Sequence, residues 1–178
     1  MHFLQKYYKN IIVYDLINKF NYSTLNEIPY LTKIVLNFGL KKKNIKSIVS
    51  RLLALELIGG QKSKITFSSV SNVTLKIRKG NPVGCKITLR KHSMYTFLSN
   101  LILNILPKIK QFKNFYYKNL TSDSFSFRLK NLFLFIELET YYEFFKDLDN
   151  LNITLVSNSR TKNEFYYLLR SLKFPINK

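Results

Sequence analysis

Apolar and polar residues follow a period of two in three stretches of the chain, most clearly in Asn72 to Arg78. Ile34, Leu36 and Phe38 alternate with Lys33, Val35 and Asn37; Val73, Leu75 and Ile77 with Asn72, Thr74, Lys76 and Arg78; Ile87 and Leu89 with Lys86, Thr88 and Arg90. A period of two puts each set on one face of a β-strand. Further strands are predicted at Lys64 to Ser68, at Ser124 to Leu138 (long, bent or broken) and at Asn152 to Val156. Helical spacing appears elsewhere. Tyr7, Tyr8, Ile11 and Ile12 mark a first helix ending near Phe20, and Asn44 caps a second with Ile45, Ile48, Val49 and Leu52 on one face and Gly59 as its stop. Ser93 precedes Met94, Phe97, Leu98, Leu101 and Ile105 until Pro107 ends the run. Thr161 and Glu164 form a capping box ahead of Phe165, Leu168, Leu169 and Leu172.

Strands with one dry face and helices with one dry stripe bury both by packing on each other. The expected fold is α+β: one domain over residues 1–178, a mainly antiparallel sheet with helices on one face and a polar opposite face. That outward face would present Lys33, Asn37, Lys86, Thr88 and Arg90, cations interleaved with uncharged hydrogen-bonding groups. Cations neutralise phosphates, whereas Asn, Gln and Thr can reach bases or ribose hydroxyls.

Charge strengthens this reading. The 178 residues carry 29 Lys and Arg against 10 Asp and Glu, a formal charge of +19. Residues 1–122 hold 21 cations and 3 anions, and residues 123–178 hold 8 and 7. The basic part is the expected RNA-binding part, and the near-neutral part completes the same fold. A polyanion suits such a field. With 46% hydrophobic and 15% aromatic residues, the chain has a core to bury and is no disordered basic tail.

Other chemistry is poorly represented. Cys85 is the one cysteine, so no intramolecular disulfide forms, and its setting suits a small core residue. His2 and His92 have no acid-base partner nearby in sequence, and Glu137, Glu139 and Glu143 lack metal-loop spacing. Neither catalysis nor a cofactor or metal is expected. The longest uninterrupted apolar run, Leu132 to Ile136, is far short of the roughly 20 residues of a membrane helix, and the first twenty residues lack a secretory leader pattern. Gly59-Gly60-Gln61-Lys62-Ser63 lacks the earlier glycine of a nucleotide-binding phosphate loop; it reads as a turn that brings Gln61 and Lys62 close to a polyanion. Asn81-Pro82-Val83-Gly84 reads as another turn, with Lys76, Arg78 and Lys79 before it.

These residues also fall into a known order. Tyr7-Tyr8-Lys9, Lys19-Phe20-Asn21-Tyr22, Ile28-Pro29, Lys33-Ile34-Val35-Leu36-Asn37-Phe38-Gly39, Gly60-Gln61-Lys62, the run from Leu75 to Arg90, Met94-Tyr95, Leu151-Asn152-Ile153-Thr154 and Phe174-Pro175 make the chain resemble the universal ribosomal protein five of the large subunit. The resemblance implies a structural protein of the central protuberance, binding 5S rRNA and/or large-subunit rRNA. It assigns 5S contacts to Asn37, Gln61, Thr88 and Arg90. It places a loop matching Lys76, Arg78, Lys79, Gly80, Asn81 and Pro82 near peptidyl-site tRNA. It also implies neighbouring central-protuberance proteins and a bridge to small-subunit protein thirteen.

The chain departs from the family's pattern in three places. Ser68 to Asn72 replaces a basic stretch, Lys110 to Asn114 replaces an Arg-Asp-Phe-Arg-Gly segment, and Phe127 to Glu139 lacks the family's Gly and Pro. A single alanine, Ala54, amid abundant Lys, Asn, Ile, Phe and Tyr points to an AT-rich gene. With the resemblance, this suggests an organelle-encoded protein of the mitochondrial matrix and its ribosome. The competing reading is a basic peripheral protein on anionic lipid; it would require a cation-rich amphipathic helix, and the first helix offers only Lys6, Lys9 and Lys19.

Overall fold

In a computed structural model of the chain, residues 2–40, 45–74, 76–109, 115–117 and 120–177 are described. The fold is α+β. Strands β1 (Leu31–Gly39), β2 (Lys64–Phe67), β3 (Pro82–Leu89), β5 (Ser124–Leu129) and β6 (Leu151–Ser157) make an antiparallel five-stranded sheet in the order β2-β3-β1-β6-β5. Strands β4 (Phe115–Tyr116) and β7 (Ile176–Asn177) pair in parallel as a separate ribbon. Burial follows the expected period. Ile34, Leu36 and Phe38, then Cys85, Ile87 and Leu89, then Leu151, Ile153 and Leu155, then Phe125, Phe127 and Leu129 are all buried, while alternate positions are partly or fully exposed, Gly84 excepted. Each full burial of a side chain of this kind stabilises by about 1.5–3 kcal/mol.

The chain gathers into two compact units. The first comprises Met1–Ile34, Leu89–Phe127 and Thr154–Lys178. Its amino-terminal helix runs as α1 (Phe3–Tyr7), a π turn and α2 (Val13–Lys19), with Ile12 and Leu16 buried. Helix α4 (Lys91–Asn100) and the π turn after it bury Met94, Phe97, Leu98, Leu101 and Ile105, the face expected from their spacing. Helix α4 starts two residues before the expected cap Ser93, straight out of β3. Helix α7 (Lys162–Ser171) is capped by Thr161, whose hydroxyl accepts the Glu164 N–H at 3.3 Å as expected, while Glu164 Oε2 reaches back one residue beyond the cap and accepts the Arg160 N–H at 3.2 Å. Phe115, Phe125, Phe127 and Phe174 pack ring against ring, with centroids 4.7–5.9 Å apart.

The second unit comprises Val35–Thr88 and Arg128–Ile153. Helix α3 (Ile45–Gly59) lies over the dry face of β3, where Cys85 Sγ is 4.0 Å from the Ile48 carbonyl, and packs against the short helices α5 (Ile136–Glu139) and α6 (Tyr142–Phe145). Cys85 is fully buried as expected, and burial pushes its thiol pKa up.

Several expectations need correction. Val49 is half exposed, whereas Arg51, Ala54 and Leu55 are buried, so the dry stripe of α3 is rotated from the expected face. It admits Arg51 because Asp149 meets its Nη2 at 2.5 Å and the Ser47 carbonyl accepts from Nη1 at 2.7 Å. Among the described residues of the stretch Asn72 to Arg78 there is no strand, only a bridge between Asn72 and Ile77. Asn72 and Ile77 exchange backbone hydrogen bonds across a tight turn, Lys76 adopts φ 52°, and Val73 is 91% exposed. The turn expected at Asn81 to Gly84 lies earlier, where Asn81 N–H bonds to the Arg78 carbonyl and Gly80 takes φ 83°; β3 already begins at Pro82. The stretch from Ser124, expected as bent or broken, does break: β5 ends at Leu129, and Leu132, Phe135 and Leu138 reach the core from a turn and α5. Asn44 as a cap, the Ile45 side chain, Leu75 and the segment Lys110 to Asn114 lie outside the described residues.

Candidate nucleic-acid interface

In the second unit, Asn37, Lys86 and Thr88 stand on the outward side of β1 and β3, opposite the buried stripe. The β2–β3 pairing sets Lys64 opposite Lys86 and Thr66 opposite Gly84, which adds Lys64 and Thr66 to that side. Neither was singled out from the sequence, although strand period alone would have placed them once β2 was paired. Gly84 has a packing role here. A Cβ on it would lie 2.6 Å from the Phe38 carbonyl, 3.0 Å from Thr66 Oγ1 and 3.6 Å from Asn37 Oδ1. Only glycine lets β1 and β3 approach this closely beside Asn37.

Gln61 and Lys62 are exposed on the loop leaving α3. That loop turns at Gly60, φ 61°, whose N–H bonds to the Glu56 carbonyl at 2.8 Å. Glu56 Oε1 accepts the Ser63 N–H at 3.0 Å, and the Ser63 hydroxyl lies 3.1 Å from the same oxygen. The two presented residues are thus clamped from both sides.

Beyond β2 the chain continues as a hairpin tip, with Ser68 N–H bonded to the Asn81 carbonyl and Gly80 N–H to the Ser68 carbonyl. Lys76, Arg78 and Lys79 are exposed there, and Lys76 and Arg78 line an open cleft of about 670 Å³ with Ser71, Asn72, Val73 and Asn81. In the first unit, Lys33 is half buried on the outward side of β1, and Arg90 is exposed between β3 and α4.

The two histidines meet each other in the first unit. His2 and His92 rings sit 5.9 Å apart edge to face, His2 Nε2 is 3.3 Å from the Ser99 hydroxyl, and burial with His92 nearby lowers the His2 pKa. No carboxylate joins them among the hydrogen bonds described. Among the described residues no three His, Cys, Asp or Glu side chains gather as a metal site, and no helix is long and apolar enough to cross a membrane.

Residues 82–176 match the C-terminus of the ribosomal L5 protein family. The chain is 40% identical to the large ribosomal subunit protein uL5m of Reclinomonas americana over the full length of both, and 37% identical to the large ribosomal subunit protein uL5 of Nitrosomonas europaea over 97% of each. It is 35% identical to the uL5 protein of Buchnera aphidicola over 98% of each chain. The chain belongs to the uL5 family of large ribosomal subunit proteins, in its mitochondrial type, and is a structural protein rather than an enzyme.

Proposed function

We propose that this protein holds rRNA through the outward face of its sheet and the loop after α3: 5S rRNA, large-subunit rRNA, or both, in the central protuberance of the mitochondrial ribosome. Lys33, Lys62, Lys86 and Arg90 neutralise phosphates; Asn37, Gln61 and Thr88 bond to bases or ribose hydroxyls. The observation that carries this reading is the division of β1 and β3 into a buried apolar side and an outward side of cations and neutral hydrogen-bonding groups, within a chain of charge +19. A preformed sheet fixes those side chains before RNA arrives, which limits the entropy lost on binding.

The hairpin tip with Lys76, Arg78, Lys79, Gly80, Asn81 and Pro82 approaches peptidyl-site tRNA in this reading. A bridge to small-subunit protein thirteen is also part of this reading. Other protuberance proteins are neighbours, and the gene is mitochondrial.

Salt titration of binding to a large-subunit or 5S rRNA fragment tests the mechanism. If about 6 phosphates are engaged, affinity falls about a thousandfold between 50 and 200 mM salt. An affinity insensitive to salt would overturn it.

A further inference from the structure

The second unit contains a cavity of about 200 Å³ at the end of β1, lined by Gly39, Leu40, Arg128, Asp149, Asn150 and Asn152. Its volume lies below the ~300 Å³ at which pockets for drug-sized ligands begin, so it suits one planar ring system. Two of its walls carry charge, and both are held in place. Arg128 Nε donates to Asn152 Oδ1 at 3.0 Å, and the Asp149 carboxylate takes Nη2 of the buried Arg51 at 2.5 Å. On the β1 side, a Cβ at Gly39 would meet nothing within 4 Å, so the backbone there leaves space for a flat group.

A phosphate site would not include Asp149, since a carboxylate in the wall repels an anion. A carboxylate beside an arginine instead matches a ligand with acceptors on one edge and donors on the next. Among the four bases this is guanine: O6 and N7 accept from a guanidinium fork, while N1–H and the N2 amino group donate to a carboxylate. Adenine places a donor, N6, next to N7; uracil separates its acceptors by N3–H; cytosine pairs the acceptors N3 and O2 but offers one amino donor, not the two adjacent donors that a carboxylate takes from guanine. Both guanine edges are accessible only where the base is unpaired, the usual condition for sequence-specific reading of RNA.

We infer that the cavity takes one unpaired guanine of the bound RNA, with Arg128 on O6 and N7 and Asp149 on N1–H and the N2 amino group. Arg51 and Asn152 act as positioning residues for these two contacts. The inference rests on the RNA-binding reading and adds a base-specific contact to it.

The test uses the whole chain at low salt and short single-stranded uridine oligonucleotides whose central position is guanosine, inosine or adenosine, alongside the all-uridine strand. The guanosine strand should bind about tenfold tighter than the adenosine strand, since a good bidentate contact discriminates on this scale. Inosine, which lacks the N2 amino group, should fall between them. Arg128 is exposed, so Arg128→Lys keeps fold and charge; it should reduce the preference for guanosine more than it reduces affinity for the all-uridine strand, because an ammonium does not reproduce the flat guanidinium fork. Asp149→Asn should bring the guanosine and inosine strands together, while the preference of both over adenosine, carried by Arg128, remains. Equal binding of guanosine and adenosine strands by the wild-type chain would overturn the inference while leaving general RNA binding intact. Equal weakening of every strand by Arg128→Lys would mark a phosphate contact and overturn it as well. Failure of the wild-type chain to bind any strand would count against RNA binding itself.

Discussion

The carboxylate of Glu56 accepts the backbone N–H of Ser63 at 3.0 Å from seven residues upstream, and so closes the turn that presents Gln61 and Lys62. Ser63 is buried at 9% exposure, so removing its acceptor leaves a donor without solvent. Glu56→Ala should cost about 1–3 kcal/mol in thermal unfolding and raise hydrogen exchange at residues 61–63, whereas Glu56→Gln keeps an acceptor oxygen and should stay near wild type. Equal behaviour of the two variants would show that the turn holds without this bond.

Gly84 is required for a different reason, close approach rather than positive φ. Gly84→Ala pushes a methyl group to 2.6 Å from the Phe38 carbonyl, so β1 and β3 must separate beside Asn37. Overpacking of this kind should cost about 1–3 kcal/mol and weaken rRNA binding at protein concentrations where the fold is intact. Unchanged affinity in a destabilised but folded variant would separate Asn37 from the interface.

Arg51→Met tests the buried ion pair. Arg51 is 3% exposed, and its loss strands the Asp149 carboxylate, whose side chain is 19% exposed. A destabilisation of about 3 kcal/mol is expected in denaturant unfolding. Restoration of stability by a second change, Asp149→Leu, would show that the cost arises from the uncompensated charge.

His2 gives the amino-terminal helix a pH dependence. Its Nδ1 accepts the Leu4 N–H at 3.2 Å, which requires an unprotonated nitrogen, and burial followed by the nearby His92 lowers its pKa from 6.5. The unfolded chain therefore binds more protons near that pH, so this contribution is present above about 6.5 and lost as pH falls through the lower folded value. Hydrogen exchange at Leu4 to Lys6 should rise on going from neutral to mildly acidic pH, and His2→Asn, which retains a capping oxygen, should flatten the change.

How far the sequence reveals this fold depends on whether a pattern ends against a second layer. Strands β1, β3 and β6 and helices α4 and α7 were legible because each buries one full stripe, so its period survives in the residues. The tip from Asn72 to Arg78 shows the same alternation in its residues, yet Val73 stands in solvent. Arg51 was invisible for the opposite reason: a cation in a dry stripe makes sense only with Asp149, 98 residues away. Asn37, Lys86 and Thr88 could be placed by parity alone. Lys64 and Thr66 needed the register of β2 on β3, and the cavity beside Arg128 needed β5 to stop at Leu129.

The most direct measurement is ultraviolet crosslinking of RNA to this protein in native large ribosomal subunits, with crosslinked peptides and nucleotides both sequenced. Peptides holding Lys33 to Asn37, Gln61 to Lys62 and Lys86 to Arg90 should carry rRNA adducts. Adducts confined to residues 123–178, or none on β1 and β3, would contradict the account.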